Sequence, residues 1–221
     1  MVTLSFKFID METIVLEDLE KSTEELVQHG ITNGMSYQEF RLFIDDLAVN
    51  KKTSGPEQSE VLVDFTILNQ RRMKRLDKTL KIANDTVENI EGLNHKVTWM
   101  IIAESWCGDA AQTLPMMNKV AELNDNISLK IILRDENLDI MNRFLTNNAM
   151  SIPKLVMVDD ASGKIIGEWG SRPKVAAQMV IDYKNEHGVL TPEFKQDLQV
   201  WYNKDKGQST LNDLLELLSL K

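Results

Sequence analysis

The sequence predicts an α/β fold in which a central mixed sheet is flanked by helices and further helices are added at both ends. Three observations predict it. Between residues 96 and 187, apolar runs typical of buried strands alternate with amphipathic helical patterns. Two more strand patterns, joined by a short polar loop, follow these units and predict a hairpin. Outside this range, apolar side chains recur at helical spacing, which predicts helical extensions rather than more strands.

Residues 1–95 are predicted to form a mostly helical N-terminal region. One apolar stripe recurs at helical spacing: Phe40, Phe43, Ile44 and Leu47. Turn-forming residues follow at 51–56, and a long helix then carries a second stripe: Leu62, Phe65, Met73, Leu76 and Leu80. The rest of that helix is basic, which is typical of a solvated face: Arg71, Arg72, Lys74, Arg75, Lys78 and Lys81. No flexible linker follows, so we expect this region to pack on the sheet, with Phe65, Leu76 and Leu80 buried there.

Residues 96–187 are predicted to form the central domain. Val97–Ala103 is strongly apolar, which indicates a strand buried on both faces, and an amphipathic helix follows from about residue 110. The remaining elements come in this order: a strand at 127–133, a short helix at 138–145, a hairpin of strands at 155–158 and 164–169, and a helix at 175–183. This order predicts two parallel strands joined by a helical crossover, followed by an antiparallel hairpin.

Residues 188–221 are predicted to form a C-terminal helical extension. Gly188 is a good helix stop, and Pro192 opens another helical segment. Leucines at helical spacing predict a last helix: Leu211, Leu214, Leu215 and Leu218.

Composition and charge exclude several classes of function. The net charge of −9 argues against binding to nucleic acid or to an anionic membrane, and no apolar run approaches the roughly 18 residues that span a bilayer. The N-terminal sequence lacks the apolar stretch and cleavage site of a secretory signal. The three histidines lie far apart, so we expect no metal site, and no pattern indicates a cofactor. A single cysteine excludes an intramolecular disulfide and fits a reducing cytoplasm.

That cysteine, Cys107, lies between the first predicted strand and the helix after it, in the segment Glu-Ser-Trp-Cys-Gly-Asp-Ala at 104–110. Free backbone N–H groups and the positive end of the helix dipole at such a junction favour a thiolate over a thiol. An unperturbed thiol is only about 3% ionised at pH 7, so this position increases its nucleophilicity. Cys107 is therefore the candidate catalytic residue.

Four landmarks, in the correct order, resemble the thioredoxin fold. Trp-Cys-Gly at 106–108 is similar to the start of a thioredoxin active site, and Pro115 lies where thioredoxins kink the next helix. Ser-Ile-Pro at 151–153 resembles the segment whose cis-proline faces the active cysteine, and Gly170 matches the glycine of the adjacent substrate-binding loop. The resemblance covers about residues 96–187. More narrowly, Trp-Cys-Gly-Asp-Ala looks like a bacterial group of thioredoxin-like proteins in which a single cysteine is the usual pattern.

The resemblance implies recognition of a peptide as well as thiol chemistry. In thioredoxin-like proteins the cis-proline lets the backbone of the preceding residue, here Ile152, pair with an extended substrate segment. The substrate-binding residues that the resemblance implies surround Cys107: Trp106, Gly108, Asp109, Ile152, Pro153, Gly170 and Arg172.

Three departures from the thioredoxin pattern concern this site. Ala110 stands where the resolving thiol would be, so no internal attack can release a mixed disulfide. Asp109 replaces the usual proline, and its negative charge opposes thiolate formation. Ile101 stands where thioredoxins carry a buried aspartate that moves protons during resolution. Either Arg134 or Arg172 would favour reactivity by reaching Asp109 or the sulfur, and the sequence leaves open which one does.

Two functions are compatible with these residues, and the sequence favours the first, with the second as the alternative. The first is a monothiol thiol–disulfide oxidoreductase, in which the Cys107 thiolate attacks a protein or low-molecular-weight disulfide and an external thiol resolves the product. The second is a redox-inactive module whose cis-proline groove binds a protein segment. Thiol peroxidase activity is a weaker hypothesis. The chain has no second thiol to resolve a sulfenic acid, and no threonine lies a few residues before Cys107, where peroxiredoxin sites usually carry one.

Overall fold

The computed structural model describes residues 21–220. The first twenty residues of the predicted N-terminal region, including the stretch considered as a secretory signal, lie outside the described residues. Within the described residues, four helices precede the sheet: α1 (Thr23–Asn33), α2 (Tyr37–Val49), α3 (Glu60–Thr79) and α4 (Asn84–Glu91).

A four-stranded mixed sheet lies at the centre of the molecule. Its strands are β1 (Val97–Ala103), β2 (Ile127–Leu133), β3 (Lys154–Asp159) and β4 (Ile165–Gly170). The strand order is β2-β1-β3-β4, with β1 parallel to β2, β1 antiparallel to β3, and β3 and β4 forming a hairpin. Every residue of β1 is buried, as its uninterrupted apolar sequence predicts. The α/β class and the predicted strand directions are confirmed.

Five helices follow β1: α5 (Gly108–Ala121), α6 (Leu138–Met141), α7 (Lys174–His187), α8 (Pro192–Asp205) and α9 (Gln208–Leu217). The crossover helix α5 connects the parallel strands, and α8 begins at the proline identified in the sequence. Helix α6 is shorter than predicted. The chain leaves it for a turn in which Asn147 and Asn148 adopt left-handed backbone angles, a conformation that asparagine tolerates.

Local sequence signals explain where the first helices begin. Ser22 with Glu25, and Ser36 with Glu39, form capping boxes that satisfy free N–H groups at the starts of α1 and α2. Helix α1 then approaches the sheet closely at Gly30, where a Cβ atom would lie 2.7 Å from the Met100 sulfur. The N-terminal helices therefore pack directly on the sheet.

The prediction for the buried face of α3 is partly wrong. Leu76 and Leu80 are buried in the main apolar core, but the side chain of Phe65 is 45% exposed. The face that α3 turns inward runs through Thr66 and Asn69 instead. Both polar residues are buried because they hydrogen-bond to the loop before Cys107, and an apolar pattern does not reveal such positions. Of the predicted basic face, all members are exposed except Arg72, which is half-buried.

In the part of the chain that the structure describes, buried apolar side chains form two clusters. The larger contains side chains from α1–α4, the four strands, α5, α6 and α9. The smaller joins α7 to α8: Ala176, Val180, Phe194, Leu198 and Tyr202. The larger cluster contains side chains from all three predicted regions and so does not separate them. The predicted boundaries at residues 95 and 187 therefore stay predictions. No helix within residues 21–220 has both the length and the apolar character needed to cross a membrane.

Candidate functional site

Cys107 ends the loop that leads from β1 into α5. It is the N-cap residue of α5, and its Sγ accepts a hydrogen bond from the Ala110 N–H at 3.4 Å. The same sulfur lies 3.3 Å from the carbonyl oxygen of Ile152, to which the thiol donates its proton. The exposed fraction of Cys107 is 7%. The helix N-terminus is thus where the sequence predicts it, and the thiol beside it is hydrogen-bonded and shielded from water.

The surroundings of Cys107 hold its thiol in the neutral form. Burial, followed by the nearby Asp109 carboxylate, raises the pKa of Cys107 to about 12. Backbone N–H groups of Ala110 and Asp109 and the Arg172 guanidinium lower that pKa, but they do not offset the lost solvation. At neutral pH such a thiol carries almost no negative charge.

Asp109 links three distant parts of the chain. Its Oδ2 lies 2.6 Å from Nη2 of Arg172, and its Oδ1 accepts a hydrogen bond from the Tyr202 hydroxyl at 3.0 Å. Burial raises the pKa of Asp109, while Arg172 and Tyr202 act against that rise. Burial and the Asp109 charge also raise the pKa of Tyr202 well above its usual value. Arg172 is therefore the arginine that reaches Asp109.

Arg134 has a different role. Its guanidinium lies over the Trp106 ring, 4.8 Å from the ring centroid, and its Nε pairs with Asp135 at 2.8 Å. A cation held over an indole face is stabilised by the ring quadrupole. Arg134 and Trp106 together form one edge of the opening above Cys107.

The segment at 151–153 and the end of β4 meet behind Cys107. The Ile152–Pro153 peptide bond is cis, as is Gly170–Ser171. Gly170 has a φ of +125°, and a Cβ atom added there would lie 2.2 Å from the Pro153 carbonyl oxygen. Only glycine fits at this close approach. Pro153 and Gly170 thus support the position of Ile152, whose carbonyl contacts the thiol, rather than lining the opening themselves.

Polar residues of the N-terminal region hydrogen-bond to the loop before Cys107. Ser105 Oγ lies 2.8 Å from Thr66 Oγ1 and accepts from the Ser54 N–H at 2.9 Å, while Asn69 donates to the Ser105 carbonyl at 2.9 Å. The Ser54 hydroxyl also donates to the Glu104 carboxylate. Burial raises the pKa of Glu104. The loop is therefore fixed by a buried polar network that the predicted central domain alone does not contain.

A cleft of about 840 Å³ opens above Cys107. Helix α3 forms one wall and α8 the other, and the loops before α5 and β3 form the floor. Six of the sequence-predicted site residues line it: Trp106, Cys107, Gly108, Asp109, Ile152 and Arg172. This size is in the range of ligand-binding clefts.

The walls of the cleft contain residues that sequence reasoning missed. Phe65 and Arg72 come from α3, and Lys195 and Gln199 come from α8. Tyr202, also on α8, does not line the cleft but hydrogen-bonds to Asp109. The amphipathic pattern of α3 located the helix but assigned Phe65 to the core and Arg72 to the solvent. No local signal linked α8 to a cysteine far upstream. Within the part of the chain that the structure describes, no cluster of three or more His, Cys, Asp or Glu could hold a metal ion.

Comparison with known families identifies the fold of this site. A family model described as thioredoxin matches residues 55–184, which is more than half of the chain. The chain belongs to the thioredoxin family. The matched range begins well upstream of residue 96 and includes α3, the helix that holds Ser105 and forms one wall of the cleft.

Solved structures similar to this thioredoxin-family protein show the fold alone. One is a protein of unknown function from Pseudomonas aeruginosa, 16% identical, with a TM-score of 0.57 over 90% of this chain and 96% of that one. Another is an HIV epitope scaffold, 17% identical, with a TM-score of 0.53 over 84% of this chain and 98% of that one. No protein with a curated function matches the sequence.

Proposed function

We propose that this thioredoxin-family protein is a redox-inactive binding module whose cleft receives an extended polypeptide segment. The observation that carries the proposal is the state of Cys107: its thiol donates to the Ile152 carbonyl, is buried, and lies beside the Asp109 carboxylate. A neutral, shielded thiol is a poor nucleophile. The sequence also holds only one cysteine, so an intramolecular dithiol cycle is impossible.

The groove beside Cys107 retains what recognition of a segment requires. Within residues 21–220, the Ile152 N–H has no hydrogen-bond partner, and Ile152 lines the cleft. An unpaired backbone donor next to an open cleft is suited to pairing with an extended chain. The Trp-Cys-Gly-Asp-Ala string supports membership of the bacterial single-cysteine group, and the lone cysteine supports a cytoplasmic location.

Monothiol thiol–disulfide exchange is the second candidate. It is favoured by the position of Sγ at the start of a 14-residue helix, where it accepts the Ala110 N–H. In that reaction the Cys107 thiolate attacks a disulfide and expels one thiolate, leaving a mixed disulfide. An external thiol then attacks this mixed disulfide and releases Cys107.

The rate of Cys107 alkylation by iodoacetamide between pH 6 and 10 distinguishes the two functions. Because the chain has one cysteine, labelling reports this thiol alone. We expect the folded protein to react far more slowly than the urea-unfolded protein throughout, with no ionisation midpoint below pH 9. A midpoint near 7, with a rate at or above that of the unfolded chain, would establish the monothiol enzyme instead.

A charge variant tests the stated cause. Asp109→Asn removes the negative charge that disfavours the thiolate, so the pKa of Cys107 falls and alkylation at pH 9 rises by up to about tenfold. Asp197→Asn, an exposed position on α8 outside the cleft, is the matched control and leaves the rate unchanged. Equal rates for both variants would contradict the role assigned to Asp109.

A further inference from the structure

The cleft above Cys107 is positively charged although the chain as a whole is acidic. Four cationic side chains line it: Arg72, Arg134, Arg172 and Lys195. Among the lining residues between positions 21 and 220, Asp109 is the only one that carries a carboxylate. The whole sequence has a net charge of −9, so this concentration of cations is local. Low-dielectric walls around such a group strengthen its attraction for an anion.

Arg72 is a half-buried cation of the cleft that, unlike Arg134 and Arg172, forms no ion pair with a described carboxylate. Its guanidinium is half-buried in the wall formed by α3, and Nη1 donates to the Asn69 side-chain oxygen at 3.1 Å. Among residues 21–220, no carboxylate lies within ion-pair distance of Arg72. Burial, followed by the nearby Arg75 charge, lowers the pKa of this guanidinium, while the Asp109 charge acts against that change. A partly desolvated cation is stabilised by an anion that enters beside it.

The other cations surround the same space. Arg172 uses Nη2 for Asp109, and Arg134 uses Nε for Asp135, and each guanidinium has further N–H donors. Lys195 is exposed on the opposite wall, on α8. An occupant with several carboxylates therefore meets cations from both walls and from the segments that follow β2 and β4.

Apolar side chains also line the cleft. Phe65 is 45% exposed and Met150 is 44% exposed, so an occupant of the cleft can cover apolar surface as well as meet the cations. We infer that the cleft takes an acidic polypeptide segment in extended conformation, in which carboxylate side chains alternate with apolar ones. This inference rests on the proposed function and adds the chemistry of the segment.

The first test is selection of a randomised octapeptide display library on the immobilised full-chain protein. We expect the enriched peptides to contain an excess of Asp and Glu interspersed with Leu, Phe or Met. No enrichment of any peptide would overturn the proposed function itself. Enrichment of neutral or basic peptides would leave the proposed function standing and overturn the inference alone.

The second test measures the Kd of one enriched peptide, labelled with fluorescein, by anisotropy. Arg72→Gln weakens binding by about tenfold or more, the usual effect of losing one charge-assisted hydrogen bond. Arg71→Gln, the same change at the exposed neighbour outside the cleft, changes Kd by less than about twofold. Equal losses in the two variants would show a general charge effect and overturn the inference.

The same titration distinguishes a segment from a small anion. Replacing every Asp and Glu of the peptide by Asn and Gln is expected to abolish the difference between wild type and Arg72→Gln. Glutathione, added at the same concentration as the peptide, is expected not to displace it. Displacement by glutathione would show that the cleft is a site for small anions, and the inference would be wrong.

Discussion

Gly170 shows how a single residue positions the site. It ends β4 with a φ of +125°, and its α-carbon lies so close to the Pro153 carbonyl that no side chain fits between them. That contact supports the segment whose Ile152 carbonyl accepts the Cys107 proton. The glycine therefore acts on the thiol through two backbone contacts, without touching it.

Replacing Gly170 by alanine is expected to lower the free energy of unfolding by at least about 3 kcal/mol, because the new Cβ atom meets a backbone oxygen that cannot move aside. Urea denaturation measures this change. Gly163→Ala is the matched control: its φ is +69° and no atom lies within 4 Å of the added Cβ, so only the left-handed backbone cost of about 1 kcal/mol remains. Equal losses at the two positions would contradict the steric explanation.

The sequence predicted the site residues that lie in recognisable motifs, but not Tyr202, which reaches the site only through packing. Cys107, Asp109 and Arg172 lie in segments that resemble known motifs, and the structure brings them together. Tyr202 contacts Asp109 from 93 positions downstream. A buried hydroxyl on an otherwise ordinary helix has no local signature, so only the packing of α8 reveals it.

At the scale of elements, α3 and the turn before it hydrogen-bond to the loop before Cys107, which the apolar pattern did not predict. The pattern placed the helix correctly but predicted Phe65 inside, whereas Thr66 and Asn69 take the buried positions. Hydrophobic periodicity detects faces that bury carbon. It does not detect a face that is buried because its polar groups complete the hydrogen bonds of a neighbouring loop.

The buried carboxylate of that loop makes stability depend on pH. Burial raises the pKa of Glu104 in the folded state, so the folded protein binds the proton more tightly than the unfolded chain does. Stability that this group contributes is therefore present below the unfolded pKa, near 4.3, and is lost as pH rises through the folded pKa. Glu104→Gln removes the titration, since the amide stays neutral.

We therefore expect the unfolding free energy of Glu104→Gln, relative to that of wild type, to increase as pH rises from about 4 to 8. Urea denaturation at a series of pH values measures it. Glu88→Gln, the same change at an exposed position on α4, is the matched control. A constant difference for Glu104→Gln would show that its carboxyl titrates normally.

At the scale of the whole molecule, the two apolar clusters imply two levels of stability. The larger contains the sheet and helices from both ends of the chain, whereas the α7–α8 cluster holds only a few buried side chains. Contacts that join α8 to the site include Tyr202 with Asp109 and Gln199 with Gln112, at 3.0 and 2.9 Å. Small clusters joined by few contacts open at lower free energy than the main core.

Opening of α8 is thus the expected route by which reagents reach Cys107. Tyr202→Phe removes the hydroxyl that donates to Asp109, and loss of such a bond typically costs about 1.5 kcal/mol or more. We expect amide exchange in α8 and alkylation of Cys107 to accelerate by the same factor, about tenfold, because both pass through one opening. Hydrogen exchange by mass spectrometry and iodoacetamide labelling measure the two rates. Tyr37→Phe is the matched control, since its hydroxyl donates to Asp77 between α2 and α3 and its loss leaves α8 unchanged. Faster alkylation without faster exchange in α8 would show that the reagent enters through the cleft while α8 stays closed.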